Sequence, residues 1–144
     1  LLIQGMKTLE IRMDRHCSNA AKVANFLAKH PAISIVNYTG LSTHPEHAIA
    51  SKQMKQHAPL LSFELKGGID AGKKFIDALE MCTRAVSLGT VDTLVSHPAS
   101  MTHFGIPREE RIQYGITDGL IRMSVGIENY EDLEADLAQA LEKI

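Results

Sequence analysis

The residues best placed to do chemistry lie in the stretch Leu120-Ile121-Arg122-Met123-Ser124-Val125, where apolar residues surround a single arginine. If the stretch is a strand, successive side chains point to opposite faces. Ile121, Met123 and Val125 then share one face, and Leu120, Arg122 and Ser124 share the other. A guanidinium is permanently charged and presents a planar fork of donors matched to a carboxylate. Arg122 is therefore a candidate clamp for a substrate carboxylate. The same spacing also suits an arginine on a solvated face. Ser87-Leu88-Gly89 follows a short apolar stretch. A serine hydroxyl and neighbouring amides at a strand end can hold the oxygens of an anion, and a plain turn would use the same residues.

Other constellations offer less. Seven histidines raise the question of a metal, and His44 and His47 are three apart. Neither a cysteine pair nor an HExxH motif supports them, so no metal ligand is assigned. His97-Pro98 and His103 read as residues that satisfy loop hydrogen bonds. The glycines match neither GxGxxG nor GxxxxGK, and no GxSxG elbow is present. Cys17 and Cys82 cannot build a disulfide framework and read as small core hydrophobes at apolar positions of helical patterns.

These residues need a scaffold. Leu2, Met6, Leu9, Met13, Cys17, Ala20, Ala24 and Leu27 recur every three or four positions, which predicts one long helix ending before His30-Pro31. Its apolar face is narrow, so it should lie across another layer. Ile33 to Tyr38 predicts a strand, a short helix follows Pro45 through about Lys55, and Leu60 to Leu65 predicts a second strand. Asp70 is expected to cap a helix that turns Phe75, Ile76, Leu79 and Cys82 inward. Ala85 to Leu88 and Leu94 to Ser96 are expected to be short extended pieces. Pro107 with Glu109-Glu110 can open a short helix, Leu120 to Val125 is the clearest strand, and Asn129 caps a last helix with Leu133, Leu137, Leu141 and Ile144 on one face. The order predicts an α/β layer, helices packed on a small sheet, in one domain.

Bulk properties narrow the partners. The 144 residues suit one core, 44 % are hydrophobic and the formal net charge is −2. Lysines and arginines are scattered rather than gathered into the basic stripe that nucleic-acid binding needs. No apolar run approaches the roughly 20 residues of a membrane span. Cysteine usage suits a reducing cytoplasm. The chain opens inside a helical pattern without an initial Met, as expected of a piece of a longer protein.

Three segments carry a resemblance. Ser87-Leu88-Gly89-Thr90-Val91-Asp92-Thr93-Leu94 with His97-Pro98-Ala99-Ser100-Met101-Thr102-His103 is similar to the C-terminal part of the Cys/Met-metabolism pyridoxal-phosphate enzymes. So are Gly115 to Glu128, with Arg122-Met123-Ser124-Val125-Gly126-Ile127-Glu128 at their end, and Lys7 to His16 on the long helix. Tyr38-Thr39-Gly40-Leu41 and Ser62-Phe63-Glu64 add to the match. The chain departs from the family pattern at Thr39, at Ala58-Pro59-Leu60, at Thr90 and at Phe104.

The resemblance implies the small C-terminal domain, residues 1–144, of an aspartate-aminotransferase-like fold, with the large domain outside this chain. It implies that Arg122 binds the substrate α-carboxylate, helped by Ser87 and Leu88. It implies pyridoxal 5'-phosphate as cofactor, held mainly by the large domain, which also carries the Schiff-base lysine. These residues would then contain neither a catalytic nor a cofactor-binding group and would be inactive alone. Apolar Val86 before Ser87, with Ser100-Met101, resembles the methionine γ-lyase branch; a glutamate at position 86 would suit the distal amino group of cystathionine. Cystathionine γ-synthases and γ-lyases and O-acetylhomoserine sulfhydrylases are the neighbouring branches, and a non-catalytic interaction domain is the reading from outside catalysis. The partners implied are a sulfur amino acid and further copies of the protein, assembled as a homotetramer, with no nucleic acid and no membrane.

Overall fold

The computed structural model describes residues 1–144. Helices α1 (Leu2–Met6) and α2 (Leu9–Lys29) lead into strand β1 (Ile33–Asn37), helix α3 (His47–Gln53) and strand β2 (Leu60–Leu65). Helix α4 (Gly68–Ala78), strands β3 (Thr83–Arg84) and β4 (Leu94–Ser96), helix α5 (Arg108–Gln113), strand β5 (Leu120–Ser124) and helix α6 (Tyr130–Leu141) complete the chain. The strands form one sheet in the order β1-β2-β5-β4-β3, antiparallel except for β3 beside β4. The expected α/β layer is what the chain builds.

Strand alternation divides the two faces. Leu61, Phe63 and Leu65 of β2, Val95 of β4, and Ile121 and Met123 of β5 turn inward with Val125. There they meet Ala20, Val23, Ala24 and Leu27 of α2, Phe75 and Ile76 of α4, and Leu133, Leu137 and Leu141 of α6. Phe63 and Phe75 meet edge to face, ring centroids 5.7 Å apart, a favourable aromatic geometry. All these side chains leave water, and each fully buried large one contributes on the order of 2 kcal/mol. Three helices therefore cover one face of the sheet. The opposite face carries Ser62, Arg122 and Ser96. In β1 a register shift between Ile33 and Ile35 breaks strict alternation, so Ile33 and Val36 are buried while Ile35 is exposed.

The structure corrects several local expectations. The first helix is two pieces: Thr8, at φ −115° and ψ 9°, interrupts it, and Arg12 Nη2 donates to the Gly5 carbonyl at 2.8 Å across the break. Glycine and β-branched threonine both weaken a helix here. The predicted stripe is also buried only from Cys17 onward. Leu2 is 85 % exposed, and Met6, Leu9 and Met13 are exposed as well, because nothing in this chain packs on them.

Asp70 is not an N-cap. Gly67, at φ +99°, turns the chain into α4 earlier, and Asp70 falls in the first turn. A carboxylate there still favours the positive end of the helix dipole. The same helix stops at Ala78, because Leu79 is extended at ψ 130°. Leu79 and Cys82 thus lie beyond it, although Cys82 is buried and packs into the core from a loop. Burial pushes both cysteine thiols up, with a neighbouring carboxylate adding to it (Asp14 at Cys17, Asp136 at Cys82). Asn129 does occupy the N-cap of α6, but its side chain makes no capping bond.

The predicted extended piece at Ala85 to Leu88 is not a strand either. Pairing with β4 is limited to Thr83 opposite Leu94 and Arg84 opposite Val95, with a last bond from the Ala85 N–H to the Val95 carbonyl. The chain then leaves the sheet, which brings residues 87–89 to the face that carries Arg122 and Ser124.

Candidate active site

A polar row crosses the sheet on the face opposite the three helices. Asn37 of β1 lies opposite Ser62 of β2, Ser62 opposite Arg122 of β5, and Arg122 opposite Ser96 of β4. Asn37 Nδ2 donates to Ser62 Oγ at 3.2 Å. Antiparallel pairing alone produces this alignment, because directly opposed residues share a face. Only Arg122 was legible as part of the row beforehand. Asn37, Ser62 and Ser96 are single polar residues in strand patterns and acquire a common location only through register.

Arg122 is half-buried and pairs with no carboxylate; the three ion pairs of the structure lie elsewhere. Its Nη2 donates to the Ser87 carbonyl at 2.9 Å, and its Nε is buried without an acceptor. A buried donor on a permanent cation without a partner is costly, and such a group is satisfied best by an anion. Ser87 is thus brought to Arg122, but through its carbonyl rather than its hydroxyl. Leu88 is exposed between them and Gly89, and Val86 is exposed beside Ser87. The Gly89 N–H donates to Ser124 Oγ at 3.0 Å, two residues along β5 from the arginine.

A second link fixes the base of this loop. Glu128 accepts from the Thr93 N–H and, at 2.9 Å, from the Thr93 hydroxyl, whose oxygen in turn accepts the Gly126 N–H at 2.8 Å. The turn leaves no room for a side chain at Gly126: a Cβ there would lie 2.6 Å from the Thr93 nitrogen. The two motifs noted in the sequence, around Ser87 and around Arg122, are therefore parts of one hydrogen-bonded unit.

The histidines have assignable duties. His97 is fully buried; its Nε2 reaches the Asp118 carbonyl at 2.7 Å and must donate, so its Nδ1 accepts from the Ser100 hydroxyl at 2.8 Å. Burial holds the ring below its usual basicity, with Arg111 and Lys73 adding in the same direction and Asp118 opposing. His103 Nδ1 meets the Thr102 hydroxyl at 2.7 Å on the surface. His47 Nδ1 donates to the Thr39 carbonyl, and His57 Nδ1 meets the Thr39 hydroxyl. Asp118 holds the corner before β5: Arg111 Nη2 and Arg108 Nε each donate to it at 2.6 Å, and these two arginines pull its carboxyl below the usual range.

No lysine of the chain faces Arg122 from the sheet. All nine are exposed, on helices or in turns, and Lys66 donates to the Pro31 carbonyl. The residues present fit the carboxylate end of an amino acid.

Helices cover one face of the sheet, and Arg122 on the other is in no ion pair. Residues 1–142 match the family model described as Cys/Met metabolism PLP-dependent enzyme, and the chain belongs to that family. It is 61 % identical over 143 residues to the L-methionine gamma-lyase of Fusobacterium nucleatum subsp. polymorphum, covering 99 % of this chain and 36 % of that protein. It is 52 % identical over 141 residues to the L-methionine gamma-lyase of Pseudomonas putida, covering 98 % of this chain and 35 % of that one. Among solved structures, cystathionine gamma-lyase from Lactobacillus plantarum complexed with L-serine superposes with a TM-score of 0.90 at 44 % identity, over 98 % of this chain and 37 % of that chain. The chain thus spans little more than a third of the length of these relatives.

Proposed function

We propose that residues 1–144 are the C-terminal, substrate-carboxylate-binding domain of a pyridoxal-phosphate-dependent sulfur amino acid lyase. The reaction proposed is methionine γ-lyase: methionine and water give methanethiol, 2-oxobutyrate and ammonia. The observation that carries this reading is the buried, acceptor-less Nε of Arg122 on a sheet face where no carboxylate of the chain reaches it. Support for the substrate comes from apolar Val86 beside Ser87 and from relatives named as methionine lyases.

When bound, the cofactor supplies the electron sink, and the protein supplies orientation. Arg122 takes the α-carboxylate through two of its donors, and the Ser87 carbonyl sets the direction of the guanidinium. Val86 and Leu88 present apolar surface next to the clamp, suited to a thioether rather than to a charged tail. The Schiff-base lysine and the phosphate-binding residues are assigned to the part of the protein outside this chain, so these residues alone are expected to be inactive. The exposed apolar side chains of α1 and the first turns of α2 suit burial against that part or against another copy, in keeping with a homo-oligomer. No helix is long and apolar enough to cross a membrane. The buried, unpaired cysteines suit a cytoplasmic protein.

Cleavage of cystathionine is the second reading, favoured by 50 % identity over 141 residues to the cystathionine beta-lyase of Coxiella burnetii. Incubating the intact protein with methionine and, separately, with cystathionine decides between them. The proposal expects methanethiol and 2-oxobutyrate from methionine. Turnover of cystathionine with none of methionine rejects the methionine reading, and turnover of neither supports a non-catalytic domain.

A further inference from the structure

The loop that carries Ser87 is held to the sheet by few bonds. From Val86 to Asp92 no backbone N–H finds a backbone carbonyl; Ala85 and Thr93 mark the two ends of the ordered pairing. Within Val86 to Gly89, two hydrogen bonds reach the rest of the protein. One is Arg122 Nη2 to the Ser87 carbonyl, and the other is the Gly89 N–H to Ser124 Oγ. Both partners lie on β5, two residues apart and therefore on one face.

The two anchors differ in what a ligand does to them. A carboxylate arriving at Arg122 competes with the Ser87 carbonyl for the same guanidinium. Ser124 is nearly fully buried, its oxygen is taken by Gly89, and it has no other partner to release it for. Gly89 itself sits at φ +80°, a conformation glycine adopts readily, so the loop bends toward Ser124 without backbone strain.

We propose that Ser124 is a positioning residue for the carboxylate clamp: its hydroxyl tethers Gly89 and so keeps Ser87 against Arg122 while substrate binds. The inference rests on Arg122 being that clamp. It assigns to Ser124 no contact with substrate. Loss of the tether leaves Val86 to Gly89 held by a single bond, free to sample orientations in which the guanidinium is no longer aimed.

The test uses the intact enzyme and whichever of methionine and cystathionine it turns over, with Ser124→Ala, Ser124→Thr and Arg122→Ala beside the wild type. One neutral hydrogen bond is at stake, so Ser124→Ala is expected to raise KM about fivefold and to leave kcat within about twofold. Amide hydrogen exchange reports the tether directly: Gly89 exchanges faster in Ser124→Ala, while Ala85, bonded to Val95, does not change. Ser124→Thr keeps the hydroxyl and is expected to restore both Gly89 protection and KM. A KM that departs from Gly89 protection in either Ser124 variant overturns the proposal, as does Ser124→Ala with neither changed. Failure of the clamp itself reads differently, as an unchanged KM and kcat in Arg122→Ala.

Discussion

Arg122 donates to the carbonyl of Ser87 at 2.9 Å although 35 residues separate them, and this bond joins the two motifs that stand out in the sequence. The contact explains why an arginine is tolerated in a mostly buried strand. Its fork is partly satisfied by the protein, while its buried Nε has no acceptor. Arg111 differs: it donates to both the Asp118 carboxylate and the Ile116 carbonyl.

Gly72 lies against the ring of His97. A Cβ at this position would stand 2.6 Å from His97 Cε1, and the ring cannot retreat without giving up the Asp118 carbonyl or the Ser100 hydroxyl. Gly72→Ala is expected to destabilise the fold by about 2 kcal/mol, the usual cost of overpacking. Urea denaturation measures it, and a midpoint equal to wild type would mean that the ring moves freely.

His97 also predicts a pH dependence. Its basicity is lowered from an ordinary value of 6.5, chiefly by burial. As the pH falls, the unfolded chain binds the proton before the folded one does, so stability rises with pH across this window. The contribution is complete above about pH 6.5 and is lost progressively below it, until the folded ring is also protonated. His97→Gln keeps a donor for the Asp118 carbonyl but cannot titrate. Its denaturation midpoint should be flatter than wild type between about pH 5 and pH 6.5. Parallel curves would remove His97 as the source.

Asp136 replaces a helix as the organiser of the segment after α4. It is buried, and its carboxylate accepts from the N–H groups of Glu80 at 2.8 Å, Met81 at 3.1 Å and Cys82 at 2.8 Å. Burial pushes its carboxyl up, yet these backbone donations and Gln139 outweigh it and hold it below the usual range. Asp136→Ala leaves three donors without a partner and is expected to cost about 3 kcal/mol, within the range for buried unsatisfied groups. Thermal unfolding of the variant measures the loss; a shift of under a degree would contradict the assignment.

Much of this architecture was legible from residue order. The periods of 3.6 and 2 located α2, β2, β5 and α6, and the alternation around Arg122 put it opposite the core. What failed shares a physical cause. Cys82 and Leu79 continue the helical period of α4, but the positive-φ Gly67 starts that helix early and Asp136, 54 residues beyond Cys82, holds the following loop. Ala85 to Leu88 has strand composition, and a tertiary bond from Arg122 draws it off the sheet. Asn37, Ser62 and Ser96 join the site only through strand register. The exposed apolar residues of α1 obey the predicted stripe, but burial requires a partner surface that periodicity does not supply.

The central claim is the proposal that Arg122 holds the substrate carboxylate, and kcat/KM of the intact protein for the amino acid it is proposed to cleave tests it most directly. Arg122→Ala should lower kcat/KM by at least roughly a hundredfold, the scale expected when a charge-assisted clamp is removed. Denaturation midpoints should stay close to wild type, because the side chain makes one hydrogen bond within the protein. A kcat/KM equal to that of wild type would show that the carboxylate is bound elsewhere and would contradict the account.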